Sequence, residues 1–339
     1  MKKIFFAVGI LFAASSVYSQ GTSIGKYSGE FLAIGVGGRP LAMGGAYVAL
    51  ANDVLAGYWN PAGLSRIDYP QGALMHDERF AGLVNYNYAS VAVPYKSDMS
   101  FGVSLIRLGV DGIPDTRNAL VDLNGNLNFD PNEKLDYSKI KEFNYADWAF
   151  YLSFAKKRQE NFAYGANIKL IRRDIGDFGA WGIGFDVGAW YSPFENFYLG
   201  ANVQDITTTL IAWDTGTNQL ISPTLKIGTA YQFNFLSGRF TPAFDFDVRF
   251  ENRRYASMFS AGPVSFDLHS GLEYNFKDLI SIRAGYNDLK QFTFGTGIIL
   301  PKLNIDYSFV KFDRDGELGN THRISIMLSI DEAKYRRSN

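Results

Sequence analysis

Between residues 122 and 133 the chain reads Asp-Leu-Asn-Gly-Asn-Leu-Asn-Phe-Asp-Pro-Asn-Glu. Asp122, Asn124, Asn126, Asn128, Asp130 and Glu133 thereby set oxygen-bearing side chains at positions 1, 3, 5, 7, 9 and 12 of a twelve-residue window. That is the spacing by which an EF-hand loop wraps Ca²⁺, with Glu133 as the bidentate closing ligand. Two features depart from it. Leu127 stands at position 6, where such a loop carries glycine, and Gly125 comes two residues early. No flanking pair of helices is evident. The competing interpretation is a polar turn in an outer loop, which Asn, Asp and Gly favour without any ion. A Ca²⁺ site is the sequence's one cofactor expectation.

Acid–base chemistry has few candidates. The chain holds three histidines, His76, His269 and His322, and no cysteine. His76-Asp77-Glu78 sets a base beside carboxylates, a general acid–base combination. Neighbouring residues on a strand point to opposite faces, so His76 and Asp77 would not meet. His269 shares a face with Asp267 and Glu273, which suits the polar filling of an interior. No phosphate-cradling glycine loop with Lys-Ser/Thr and no His-Glu-x-x-His occurs. The sequence predicts a protein that is not an enzyme.

The elements that position these residues are strands. In Ala146–Phe154, Ala146, Trp148, Phe150, Leu152 and Phe154 share one face, while Asp147, Ala149, Tyr151 and Ser153 share the other. Similar alternation gives fourteen candidate strands near 72–79, 83–94, 99–108, 144–156, 161–173, 180–191, 196–206, 222–235, 240–250, 263–276, 279–288, 291–300, 302–312 and 320–330. Strands this long, with aromatics near the ends of an apolar face, suit a wall between lipid and a polar interior. A Lys or Arg facing mid-bilayer lipid costs about 2–4 kcal/mol. Lys169, Asp186, Asp245, Asp247, Arg249, Glu273 and Arg283 are therefore expected in the lumen. Their mixed signs favour internal ion pairs over a charged conduction path. Strand glycines such as Gly182, Gly184 and Gly188 fit close packing or bends. Connections after odd strands include the long ones, 109–143, 207–221, 251–262 and 313–319, and those after even strands are short. That parity puts both termini in the periplasm.

Composition narrows the compartment. Lys2 and Lys3, the apolar run Ile4–Ala14 and the small-residue site Val17-Tyr18-Ser19 form an export signal over 1–19, too short to span a bilayer. Without cysteine an exported chain has neither disulfides nor thiolate ligands. The net charge is −1, and no concentrated basic face suggests nucleic acid. Aromatics at 16% and 34 glycines fit interfacial girdles and a crowded, curved wall.

Residues 33–66 do not alternate. They are rich in small residues that let backbones pack closely. Asn52 or Asp53 could cap a short helix over 54–59, and Pro61 ends it at Asn60. The strings Met43-Gly44-Gly45-Ala46-Tyr47-Val48-Ala49 and Tyr58-Trp59-Asn60-Pro61-Ala62-Gly63-Leu64 resemble the start of the FadL-like outer-membrane proteins, nearest their PorV/PorQ branch. Val110–Pro114 and Asp122–Asp136 also look like that branch. Unlike many outer-membrane barrels, the chain does not finish on an aromatic; the tail Asp331–Asn339 follows Ile330.

The resemblance implies an all-β protein, a 14-stranded antiparallel transmembrane β-barrel with a small N-terminal plug containing short helices. On that basis 20–70 is the plug, with Asn60, Pro61, Ala62 and Gly63 as its motif, 71–330 the barrel and 331–339 a periplasmic tail. For Asn60, Pro61 and Ala62 the plainer role is a helix-terminating turn that seats the plug. The PorV side of the resemblance implies a non-enzymatic component of type IX secretion. Its partners would be outer-membrane lipid and either cargo C-terminal domains or the secretion channel. The FadL side implies passive transport of a hydrophobic small molecule across the outer membrane.

Overall fold

The computed structural model describes residues 22–24, 29–126, 128–251, 253, 256–311 and 320–337. The expected export signal, the connection 313–319 and Leu127 lie outside them. Fourteen antiparallel strands close into one barrel. The first seven are β1 Gln71–Arg79, β2 Val84–Tyr95, β3 Met99–Asp115, β4 Lys141–Gln159, β5 Phe162–Ile175, β6 Phe178–Phe194 and β7 Phe197–Gln204. The rest are β8 Thr224–Tyr231, β9 Gly238–Arg249, β10 Val264–Phe276, β11 Ile280–Tyr286, β12 Phe292–Ile299, β13 Leu303–Lys311 and β14 Asn320–Ser329. Each pairs with the next, and β1 pairs with β14 from Gln71↔Ser329 to Glu78↔His322, leaving no open edge.

Period-two patterning explains the wall. On β6, Trp181, Ile183, Phe185 and Val187 are exposed on the outside, while Gly182, Gly184, Asp186 and Gly188 are buried within. Elsewhere the elements differ from simple alternation. β3 and β4 run well past the expected ends at 108 and 144, through a register shift between Val110 and Ile113. Their extension rises above the rest of the wall and ends in a small ladder, Leu120–Val121 with Lys134–Leu135. After β7 a hairpin, Thr209–Trp213 with Asn218–Ile221, lays its first strand against β6. The expected strand 222–235 breaks after Tyr231, and Phe233–Phe235 pairs separately with the start of β9. Alternation marks none of these departures, because an inserted hairpin alternates like the wall it joins.

Within the barrel lie α1 Glu30–Ala33, α2 Gly38–Ala42, α3 Ala56–Trp59 and a 3₁₀ helix, Pro61–Arg66. Such short helices are not stable by themselves. Here nearly every residue from Val36 to Leu64 is buried. Tyr58 packs edge-on against Trp59 and against the wall's Tyr151, at centroid distances of 5.1 and 6.3 Å. The hydrophobic core therefore sits between plug and wall. After β14 the tail turns back beneath the barrel. The Arg337 guanidinium donates to the Ile67, Met99 and Ser100 oxygens at 2.7–3.0 Å, and its backbone N–H donates to the Asp68 carbonyl. Among the described residues no helix is long and apolar enough to cross a membrane.

Candidate functional site

The plug begins with its turn chemistry. Asp53 Oδ1 accepts the Leu55 N–H at 2.9 Å, so Asp53 serves the turn leading into α3. Asn60 is extended, with φ −162° and ψ 102°, as a residue before proline should be. Its Oδ1 accepts the Ala62 N–H at 3.2 Å, capping the 3₁₀ helix that Pro61 opens. Its Nδ2 donates to the Val48 carbonyl within the plug and to the Ala189 carbonyl of β6, both at 3.0 Å. One fully buried side chain thus ends a helix, starts another and ties both to the wall. A Cβ on Gly63 would lie 2.0 Å from the Ala51 carbonyl oxygen, so only glycine fits there.

The wall answers with side chains around the ring. Asp245 Oδ2 accepts the Tyr47 and Val48 N–H groups, each at 2.7 Å. Asn167 and Asn202 donate to the Gly57 and Trp59 carbonyls at 2.8 and 3.0 Å. Trp190 Nε1 donates to Ala49 O at 3.0 Å, and Thr293 to Ala42 O at 2.8 Å. Ser325 Oγ accepts the Gly38 N–H at 2.8 Å. Orphan backbone groups of the irregular plug are therefore met by wall polar groups, as burial requires. Wall glycines make room. A Cβ on Gly188, Gly200 or Gly285 would come within 2.2, 2.4 and 2.3 Å of plug atoms. Gly165 pairs in register with Gly188, Gly200 with Gly228 and Gly271 with Gly285. The plug thus lies on a belt of bare backbone.

The seven charges expected in the lumen are all buried there, in clusters. Lys169 Nζ sits 2.9 Å from Asp186 and 2.6 Å from Asp205. Lys226 contacts Asp247. Arg249 and Arg253 share Asp267 and Glu30. Glu273 receives a bidentate pair of bonds from the plug's Arg39, both at 2.9 Å, and one from Arg283 at 2.6 Å. Burial works against charge on Arg39, but Glu273, then Tyr47 and Asp53, outweigh it and keep the guanidinium firmly protonated. Burial pushes the Asp53 carboxyl above its ordinary range, with Arg39 opposing.

A cavity lies on each side of the plug. That at the end carrying the long connections is about 370 Å³ and is lined by Phe31, Ile34, Arg79, Arg173, Asp288 and Arg323 among others. That at the short-turn end is about 340 Å³ and largely polar, with Arg39, Asp53, Arg66, Glu273 and Asp306 in its lining.

The other candidates separate. The strand divides His76 from Asp77: His76 is exposed outside, while Asp77 is fully buried inside against Arg323 at 2.9 Å. In the loop, Asp122 Oδ1 accepts the Asn124 and Gly125 N–H groups, and Asp130 Oδ2 accepts from the Asn124 and Asn126 amides. Asn128 N–H donates to Asn126 Oδ1. Glu133 accepts the Leu123 and Asp130 N–H groups at 2.9 and 3.1 Å, stapling the loop ends. Among the described residues no group of three or more His, Cys, Asp or Glu is arranged to hold a metal. Sequence reasoning did not find the anchors Asn167, Trp190, Asn202, Thr293 and Ser325. An inward polar residue is visible in the pattern, but its partner depends on the plug's path.

A model of the family described as type IX secretion system membrane protein PorP/SprF matches residues 132–328. Among solved structures the chain is similar to the toluene transporter TbuX of Ralstonia pickettii, at 14% identity over 87% of this chain and 98% of that one, with a TM-score of 0.58. It is similar to the P. putida toluene transporter TodX, at 16% identity over 88% and 99%, with a TM-score of 0.60. A FadL homologue of Pseudomonas aeruginosa gives 14% identity over 84% and 96%, with a TM-score of 0.53. At these identities the likeness is one of fold. No curated protein matches the chain.

Proposed function

Since the chain belongs to the PorP/SprF family of type IX secretion system membrane proteins, we propose that it is a non-enzymatic outer-membrane component that binds protein partners. It acts in the manner expected of a PorV-like barrel, engaging cargo C-terminal domains or the secretion channel through its loops and outer wall. The observation that carries this is the seated plug. Wall side chains from β1 to β14 bond its backbone, and wall glycines leave no slack beneath it. A lumen filled in this way braces the barrel rather than conducting through it. The long connections then face outward and both termini inward. Residues 1–19 are removed, so the mature chain starts at Gln20.

Tagged protein pulled from native membranes tests the proposal. Recovery of a secretion channel or of exported proteins sharing a C-terminal domain is expected. Recovery of the barrel alone, under conditions that preserve other membrane complexes, would sink it.

The alternative is passive transport of a hydrophobic small molecule. The cavity above the plug favours it, because Phe31, Ile34, Leu41, Leu108 and Leu289 contribute to its lining. Transport would need the plug to yield. Vesicles holding the barrel should then take up a monoaromatic probe faster than empty vesicles, and equal rates would dismiss the idea.

A further inference from the structure

The outer face of β1–β3 and β14 carries a feature that plug and loops do not use. A furrow of about 620 Å³ runs there. A second hollow of about 370 Å³ continues it, sharing Leu74, Ala89, Leu105 and Ile326. It exists because the outward residues Gly72 and Ala89 are too small to cover the ladder. Larger neighbours border it, Leu74, Ile324 and Ile326 on one side and Val103 and Leu105 on the other.

Toward the long-connection end the apolar lining stops at a polar row. His76, Asn87 and Arg107 are successive register partners across β1, β2 and β3. His76 Nδ1 lies 2.7 Å from Asn87 Oδ1, and Nε2 lies 3.3 Å from Glu78. The Arg107 guanidinium stands 5.4 Å from the ring centroid of Trp148, its register partner on β4. A Cβ on Gly109 would meet that guanidinium at 2.7 Å, so glycine is what lets the side chain lie along the wall. Its carboxylate neighbour, Asp111, is loose at 3.8 Å and 57% exposed. The same construction recurs two strands on: Arg172 lies 5.1 Å from Trp181 and over Gly179. Beneath Arg172 stand the bulky, exposed Leu170 and Ile168 in place of an alanine.

Trp and Arg on the outside of a barrel belong at headgroup level, where the charge costs little. The furrow below Arg107 then lies in hydrocarbon. We propose that the furrow and its rim bind a phosphate-bearing glycolipid of the outer leaflet. One acyl chain lies along Leu74, Ala89 and Leu105, and the sugar-phosphate head meets the rim. Arg107 supplies the cation for the phosphate. His76, Asn87 and Glu78 supply donors and acceptors for several sugar hydroxyls fixed on a ring, where a phosphatidylglycerol head offers only two flexible glycerol hydroxyls. The assignment rests on the orientation proposed above, with the long connections outside.

Native mass spectrometry of the full barrel, released from detergent containing monophosphoryl lipid A or dioleoyl phosphatidylglycerol at equal concentration, tests it. The wild type should keep a lipid A adduct and little phosphatidylglycerol. Arg107→Gln should lower the adduct about tenfold, as loss of one charge-assisted contact predicts. Ala89→Trp, which fills the furrow without touching the rim, should do the same. Arg172→Gln should leave the adduct unchanged. Heat-modifiable gel migration establishes that each variant is a folded barrel. Equal adducts on all four proteins, or phosphatidylglycerol retained as well as lipid A, would overturn the proposal. Protease access to 116–140 on intact cells tests the orientation separately.

Discussion

Replacing Asn60 by alanine removes three bonds at once. The Val48 and Ala189 carbonyls lose their donor, and the Ala62 N–H loses its acceptor. Each bond contributes about 1 kcal/mol net, and each polar group left dry costs about 1–3 kcal/mol. The site is tight, since even a Cβ on Gly188 would approach Asn60 Oδ1 to 2.2 Å. The loss should therefore be roughly 3–5 kcal/mol. Asn60→Asp sharpens the test. It keeps the acceptor for Ala62 but offers a carboxylate, not a donor, to the two carbonyls. It should be less stable than Asn60→Ala at neutral pH, because a buried charge set against two carbonyl oxygens costs more than a missing group. Tryptophan emission during urea unfolding can follow the plug, because Trp59 and Trp190 both bond plug carbonyls. A planar-bilayer recording should show openings in both variants and a closed wild type. If Asn60→Asp unfolds at the wild-type urea concentration and stays closed, Asn60 does not pin the plug and the reasoning fails.

Three further outcomes follow from the same geometry. Gly285→Val would press a side chain onto the Met43 and Gly44 backbone, at 2.3 Å from the Cβ alone, and should abolish the folded band on unheated gels; Gly72→Ala, whose nearest neighbour is 3.6 Å away, should migrate normally. Asp77→Ala should lower the free energy of unfolding by about 3–5 kcal/mol, because it leaves Arg323 buried without its carboxylate; His76→Ala, one residue away but outside the wall, should change stability by less than about 0.5 kcal/mol. If the 122–133 loop takes Ca²⁺, millimolar calcium should slow proteolysis within 109–143 and Asp122→Ala should cancel that protection, whereas identical digestion with calcium and with chelator would mark the loop as a plain turn.

The alternation of Ala146–Phe154 and of 180–191 was enough to read a barrel from the chain, and it set which residues face in. That legibility has a simple cause. A strand's side chains alternate by covalent geometry, and a wall between lipid and a polar interior writes that period into every strand. The Asn-Pro-Ala turn was legible for a similar reason, since proline and a capping Asn act on their immediate neighbours. What lay beyond reach was anything decided by the meeting of distant segments. Asp245 lies 198 residues from Tyr47, and nothing local to either tells that they bond. The paired glycines, the outer furrow under Arg107 and the pairing of Asp77 with Arg323 likewise depend on register around a closed ring. Local sequence governs which way a side chain points; closure of the ring governs what it finds there.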